Sequence, residues 1–245
     1  MNRLLFTLAI TFALSACSGT HTPVATTGSG SVSSVSVSSL SGSTASSSSS
    51  SRPTFARVQK DATNGNAIAQ FELGAMYHDG DGVAKDPAKA REWFKKSADN
   101  GNDKAMVNFG LMEYNGEAGD KNLRNAALYF ARAADKSEPR ALFNLGAMYY
   151  RGEGIPQDLK KAYSLFVAAA NAGEKNAYFN LGVMYYKGDG VTRDPVEAYA
   201  WFALAEAGGD ANASKPLGII KQILTPDQMK KAEAEAKKLM SERGM

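Results

Sequence analysis

The sequence predicts an all-α fold, an α-solenoid of stacked helix hairpins, and three observations predict it. A Leu-Gly or Phe-Gly pair recurs as Leu73-Gly74, Phe109-Gly110, Leu145-Gly146 and Leu181-Gly182; 109 − 73, 145 − 109 and 181 − 145 all equal 36. A strict period of this size marks supersecondary units that cannot bury their apolar faces alone and must stack. Within each unit, apolar residues fall at helical spacing on two segments separated by a glycine turn, as in Ala69, Leu73, Met76 and Tyr77, then Gly80 and Gly82, then Ala90, Trp93, Phe94, Ser97 and Ala98. Finally, Phe94, Phe130, Phe166 and Phe202 place one aromatic per unit in a single column, facing the small-residue column Ala90, Ala126, Ala162 and Ala198.

The first fifty residues are of another kind. Met1 to Arg3 is a short positive segment, and Leu4 to Leu14 is an apolar run too short to span a bilayer. Leu14-Ser15-Ala16-Cys17 follows at once, and Cys17 is the only cysteine. These four residues resemble the bacterial lipobox, which implies a signal peptide over 1–16, acylation of Cys17 and a membrane anchor through an N-terminal lipid. Ser18 stands where Asp favours inner-membrane retention, so the expected location is the cell envelope, at the outer membrane and facing the periplasm. Residues 17–52 are dominated by Ser, Thr, Gly and Val without an aromatic residue, and cannot bury enough apolar area to offset their ordering entropy. They read as a flexible tether with a reach of roughly 30 Å.

The folded part is expected over 53–245. Phe55, Val58 and Ala62 before Asn64-Gly65 match the second half of a unit, giving a capping helix over 53–65. Four units follow over 66–101, 102–137, 138–173 and 174–209. In the first, Asp86 is the side-chain cap of the second helix, Pro87 takes its first turn, and Asn100-Gly101 ends it. Over 210–245, Asp210 to Leu224 begins like a fifth first helix. Thr225 and Pro226 then open a closing helix through Ala232, Ala236 and Met240, kept polar outside by Lys230, Lys231, Lys237 and Lys238.

The pattern from Ala69 to Ala98, Ala-x-x-x-Leu-Gly-x-Met-Tyr-x-x-Gly-x-Gly-Val-x-x-Asp-x-x-x-Ala-x-x-Trp-Phe-x-x-x-Ala, resembles the Sel-1-like repeat, a relative of the tetratricopeptide repeat. The resemblance covers about residues 54 to 224 and implies a right-handed superhelix. The second copy departs most: Glu113 replaces the Tyr, Ala118 the second Gly, and Gly119 takes the Val place. Its turn is the one the pattern fixes least.

Composition argues against catalysis. With a formal net charge of +3, which becomes +2 once Arg3 leaves with the signal peptide, nothing calls for nucleic acid. Outside the tether the only histidine is His78, which stands in a column otherwise held by Tyr114, Tyr150 and Tyr186 and reads as a surface aromatic. No His pair, second Cys or Gly-x-Ser-x-Gly elbow is present, so no enzyme, cofactor or metal is expected. Asp79-Gly80-Asp81-Gly82 opens like a calcium loop, but Arg151 and Lys187 replace its first Asp in later copies, so it reads as a turn.

The resemblance also implies where binding occurs. In tetratricopeptide-like units the first helices line a concave groove, into which the residue before the Leu-Gly pair and the residue four earlier project. These are Asn108 with Lys104, Asn144 with Arg140 and Asn180 with Asn176; in the first unit they are Glu72 and Ile68. The two middle pairs resemble a carboxylate clamp: amides hold an extended peptide backbone and cations hold its carboxylates. Arg151 and Lys187 extend this basic rim, and Tyr150 and Tyr186 flank it. In the competing reading the Asn residues bond the neighbouring repeat and the cations are ordinary solvated charges. The partner implied is a protein or extended peptide segment, acidic in character. Three roles stay open: an envelope scaffold, an immunity protein that neutralises a periplasmic-acting toxin, and a peptidoglycan-binding protein or hydrolase.

Overall fold

The caps foreseen in the sequence start and stop the helices. The computed structural model describes residues 54–245; the signal peptide, Cys17 and the tether lie outside the described residues. A first helix, α1 (Phe55–Thr63), precedes four hairpins: α2 (Ala67–Asp79) with α3 (Pro87–Asp99), α4 (Asp103–Asn115) with α5 (Leu123–Ala134), α6 (Pro139–Arg151) with α7 (Leu159–Asn171), and α8 (Asn176–Lys187) with α9 (Pro195–Ala207). A 3-10 turn, Ala211–Ala213, then leads to α10 (Ser214–Ile223) and α11 (Pro226–Glu242). Among the described residues there is no strand. Each helix packs on the next, within a hairpin and from one hairpin to its successor, and α9 is covered by both α10 and α11. The described chain is thus an all-helical solenoid.

Side chains close the orphan amides at the helix starts. Asp86 accepts from Lys89 N, Asp158 from Lys161 N and Thr225 from Gln228 N, the last within a capping box. In every hairpin the first helix ends on a left-handed glycine, Gly80, Gly116, Gly152 or Gly188, with φ of 82°, 73°, 70° and 82°. The second copy keeps this turn despite its altered sequence. Ala118 holds the left-handed φ of 58° that glycine has in the other copies, and Asn122 N still donates to Glu113 O at 2.7 Å.

Packing explains the repeated Leu-Gly pair. A Cβ at Gly74, Gly110 or Gly182 would lie 2.7, 2.8 or 2.8 Å from the ring of Phe94, Phe130 or Phe202, and at Gly146 3.1 Å from Phe166. The glycine is therefore the seat on which the aromatic of the second helix rests. The facing alanines, Ala90, Ala126, Ala162 and Ala198, are fully buried. At the closing end Leu239, with Ala232 and Ala236, enters the core where the sequence suggested Met240, which is half-buried. Arg243 then lies against the Tyr178 and Trp201 rings, 5.8 and 5.2 Å from their centroids, and donates to Asn171 Oδ1.

Each junction between units is made by residues 22 apart, and each uses different chemistry. Phe55 meets Tyr77 edge-on at 5.8 Å, and Tyr163 meets Tyr185 with a 2.7 Å hydroxyl contact. The Lys221 ammonium lies 5.9 Å from the Tyr199 ring. Ala127 and Tyr149 occupy the corresponding places at the third junction, both within or against the core. At the second junction stands a buried ion pair: Arg91 Nε donates to Glu113 Oε1 at 2.9 Å, a second guanidinium N–H donates to the same oxygen, and Asn125 donates to Glu113 Oε2 at 2.6 Å.

Candidate functional site

The first helices α2, α4, α6 and α8 carry the candidate residues, and a spacing of four sets each pair on one helical face. Lys104 is exposed, while Arg140, Asn108, Asn144 and Asn180 are half-buried. Asn180 Nδ2 donates to Asn176 O at 3.1 Å, within its own helix. Asn108, Asn144, Lys104 and Arg140 make no side-chain hydrogen bond or ion pair among the described residues. The carboxylate nearest in sequence to Arg140 is Glu138, which is occupied in accepting from Ala141 N at 2.7 Å. Burial pushes that carboxyl above its ordinary range. The amides therefore do not tie one repeat to the next; beside them, Lys104 and Arg140 form no ion pair, although Arg140 lies near enough to Glu138 to work against the upward push of burial on that carboxyl.

The rim residues behave differently. Tyr150 donates to Asp189 Oδ2 at 2.8 Å, and Lys187 Nζ donates to the Tyr150 hydroxyl at 3.2 Å. One junction earlier, Tyr114 donates to Glu153 Oε2 at 2.5 Å, and Arg151 donates to Glu153 at 2.9 Å and to the Tyr114 hydroxyl at 3.1 Å. At the second junction His78 Nε2 lies 3.4 Å from Glu117 Oε1, so His78 does fill the tyrosine column. This ladder joins each unit to the following one. Tyr150, Arg151 and Lys187, read from the sequence as rim contacts, are committed to the stack. Burial raises the Tyr150 phenol well above its ordinary range, and its bond to Asp189 adds to the effect. Tyr186 ends the ladder. The Arg193 guanidinium stacks 5.6 Å from its ring centroid, and its hydroxyl has no hydrogen bond among the described residues.

Sequence reasoning missed the ladder and the buried Glu113. Both were signalled by spacing: acids at 117, 153 and 189 follow His78, Tyr114 and Tyr150 by 39, and Arg91 precedes Glu113 by 22. Among the described residues no group of three or more His, Cys, Asp or Glu is placed to hold a metal ion, and no helix is long and apolar enough to cross a membrane.

Four stacked helix hairpins define a repeat scaffold suited to protein–protein interaction. The Sel1 repeat profile matches residues 67–102, 103–138, 139–174 and 175–210, and the chain belongs to the Sel1 repeat family. Such repeats generally mediate protein–protein interactions and are generally non-enzymatic. A protective antigen of uropathogenic Escherichia coli strains with an SLR fold is 32% identical, with a TM-score of 0.71, over 77% of this chain and 41% of that one. This chain thus spans less than half the length of that antigen. A Sel1 repeat protein from Oxalobacter formigenes is 30% identical, with a TM-score of 0.62, over 66% of this chain and 67% of that one. No curated protein matches the chain.

Proposed function

We propose that the chain is an envelope lipoprotein, anchored through Cys17, whose first-helix face docks an acidic, extended segment of another protein. The observation that carries this reading is the pair of cation–amide sets, Lys104 with Asn108 and Arg140 with Asn144, whose side chains make no hydrogen bond or ion pair among the described residues. An amide donates and accepts at once and so suits a peptide backbone, while Lys and Arg supply charge-assisted bonds to carboxylates. Placement at the outer membrane follows from Leu14-Ser15-Ala16-Cys17 and Ser18, with the Ser-rich tether giving the solenoid reach. A single acyl chain anchors only marginally, so stable attachment requires the multiple acylation that the lipobox implies.

The test is affinity purification from membranes with a tag after Met245, comparing wild type with a variant carrying Asn144→Ala and Arg140→Ala whose helicity is intact by circular dichroism. Loss of a captured protein from the variant supports the reading; an unchanged set of partners overturns it.

A further inference from the structure

The Leu-Gly pair occurs a fifth time. Leu217-Gly218 follows Leu181-Gly182 by 217 − 181 = 36, so α10 is the first helix of a fifth unit; it packs on α9, with Leu217 and Ile220 buried. The second helix of that unit is not in its place. Continuing the period, the column of Phe94, Phe130, Phe166 and Phe202 falls on Lys238, and the turn column of Gly188 falls on Leu224. No left-handed glycine returns the chain there: Leu224 is extended, with φ −79° and ψ 139°. A Lys in place of the buried Phe could not be covered without stranding its charge. Instead of packing along α10, α11 lies on α9.

The consequence shows at the glycine. A Cβ at Gly74, Gly110, Gly146 or Gly182 would lie 2.7–3.1 Å from the phenylalanine of its own hairpin, whereas at Gly218 it would meet nothing within 4 Å among the described residues. Gly218 is exposed, Ile223 is 36% exposed, and Ile219 is only half-buried although Leu111 and Val183 of the same column are buried. One face of α10 is therefore packed on the stack and its hairpin face is uncovered. The four complete hairpins show what covers such a face: a helix whose phenylalanine rests on the glycine and whose alanine, four residues earlier, is fully buried. Charge adds a second requirement, because α10 carries Lys215 and Lys221 and no acid. Lys215 stands in the column of Phe71, Phe143 and Phe179, whose rings lie 5.7, 5.8 and 5.3 Å from the seated phenylalanine, so a cation at this place suits a ring face and a flanking carboxylate. We propose that α10 is a second docking site, separate from the Lys104–Asn144 face, and that it takes an acidic amphipathic helix of a partner protein. The partner's phenylalanine seats on Gly218 beside Lys215, a small residue stands four positions before it, and docking completes the fifth hairpin in trans.

The probe is a fluorescein-labelled peptide of residues 194–207, the α9 sequence with its cap, which supplies Ala198 and Phe202 together with three acids and no cation. Its binding to the full chain is followed by anisotropy. The expected result is saturable binding that Phe202→Ala in the peptide weakens by at least about tenfold, the loss of an aromatic anchor. In the chain, Gly218→Ala separates docking from folding. Nothing crowds the added Cβ and alanine favours the helix, so thermal melts should match or exceed wild type, while the methyl lifts the ring from its seat and weakens binding by about tenfold or more. A peptide of residues 86–99, with Ala90 and Phe94 at the same spacing but four cations against three acids, should bind about threefold less tightly. Equal binding of the two peptides overturns the acidic character of the partner. No saturable binding, or binding unchanged by Gly218→Ala, overturns the site; in the second case the peptide has displaced α9 from α8. Self-association of the full chain in sedimentation velocity that Gly218→Ala removes would make the occupant a second copy and overturn the choice of a separate partner.

Discussion

Replacing Arg91 by Ala should uncover the charge buried at the second junction. The Glu113 side chain is 2% exposed and the Arg91 side chain 34%, so the carboxylate is the desolvated partner. Removing one partner of a buried pair typically costs about 3–5 kcal/mol. Here Asn125 still donates to Glu113 Oε2 at 2.6 Å, and Arg91 is partly solvated, so the loss should lie near ~2–3 kcal/mol. Some of it is lost packing, because the guanidinium carbon lies 5.4 Å from the Phe109 ring centroid. The third junction supplies the remedy. Combining Arg91→Ala with Glu113→Tyr rebuilds the Ala127–Tyr149 arrangement of the next unit, and the double variant should return to within about 1 kcal/mol of wild type. Stability is read by urea unfolding followed by circular dichroism, with amide exchange in α4 reporting the junction locally, because a solenoid need not unfold in one step. A loss below about 0.5 kcal/mol for the single variant, or a double variant no more stable than the single, would refute the account of Arg91 as the partner that makes a buried Glu113 tolerable.

Two further outcomes follow from the turns and the ladder. A Cβ at Gly190 would lie 2.2 Å from Leu159 O, whereas at Gly82 it meets the flexible end of Met76 at 3.3 Å and Phe55 Cβ at an ordinary 3.9 Å; both positions have φ of +72°. Gly190→Ala should therefore lower stability by about 2 kcal/mol or more beyond Gly82→Ala in paired thermal melts, and equal losses would show that backbone dihedral alone sets the cost. Burial by itself would raise the Glu153 carboxyl, but the Tyr114 hydroxyl and the Arg151 guanidinium outweigh it and hold the group below its ordinary range. A depressed folded-state value stabilises above the unfolded value near 4.3 and loses that contribution as pH falls through the folded value. Tyr114→Phe should cost about 0.5–1 kcal/mol at pH 7, and the gap to wild type should close below about pH 4; a gap constant with pH would show that Tyr114 acts by packing alone.

What the sequence made legible was whatever lies within one helix or repeats at one interval. Leu73, Gly74 and Phe94 fix the hairpin, and Asp86 with Pro87 fixes a helix start, because periodicity and capping are local rules. That Asn108 and Asn144 share one position on successive first helices was legible for the same reason. The roles of Tyr150, Arg151 and Lys187 were not, since helical spacing shows that they are polar and near a turn but not that they reach acids one unit away. Glu113 looked like a departure from the tyrosine pattern, and only the approach of α3 to α4 reveals Arg91 as the reason it is buried.

The varied junctions also bear on how copies of this chain avoid one another. Tandem units of such similar sequence invite exchange, in which a hairpin of one molecule stacks on the wrong neighbour in its own chain or in a second one. A stack shifted by one unit would set Arg91 against Tyr149 and leave Glu113 against Phe55, stranding a carboxylate beside an aromatic ring. The mismatched pairings act as a proofreading step that identical junctions would not supply.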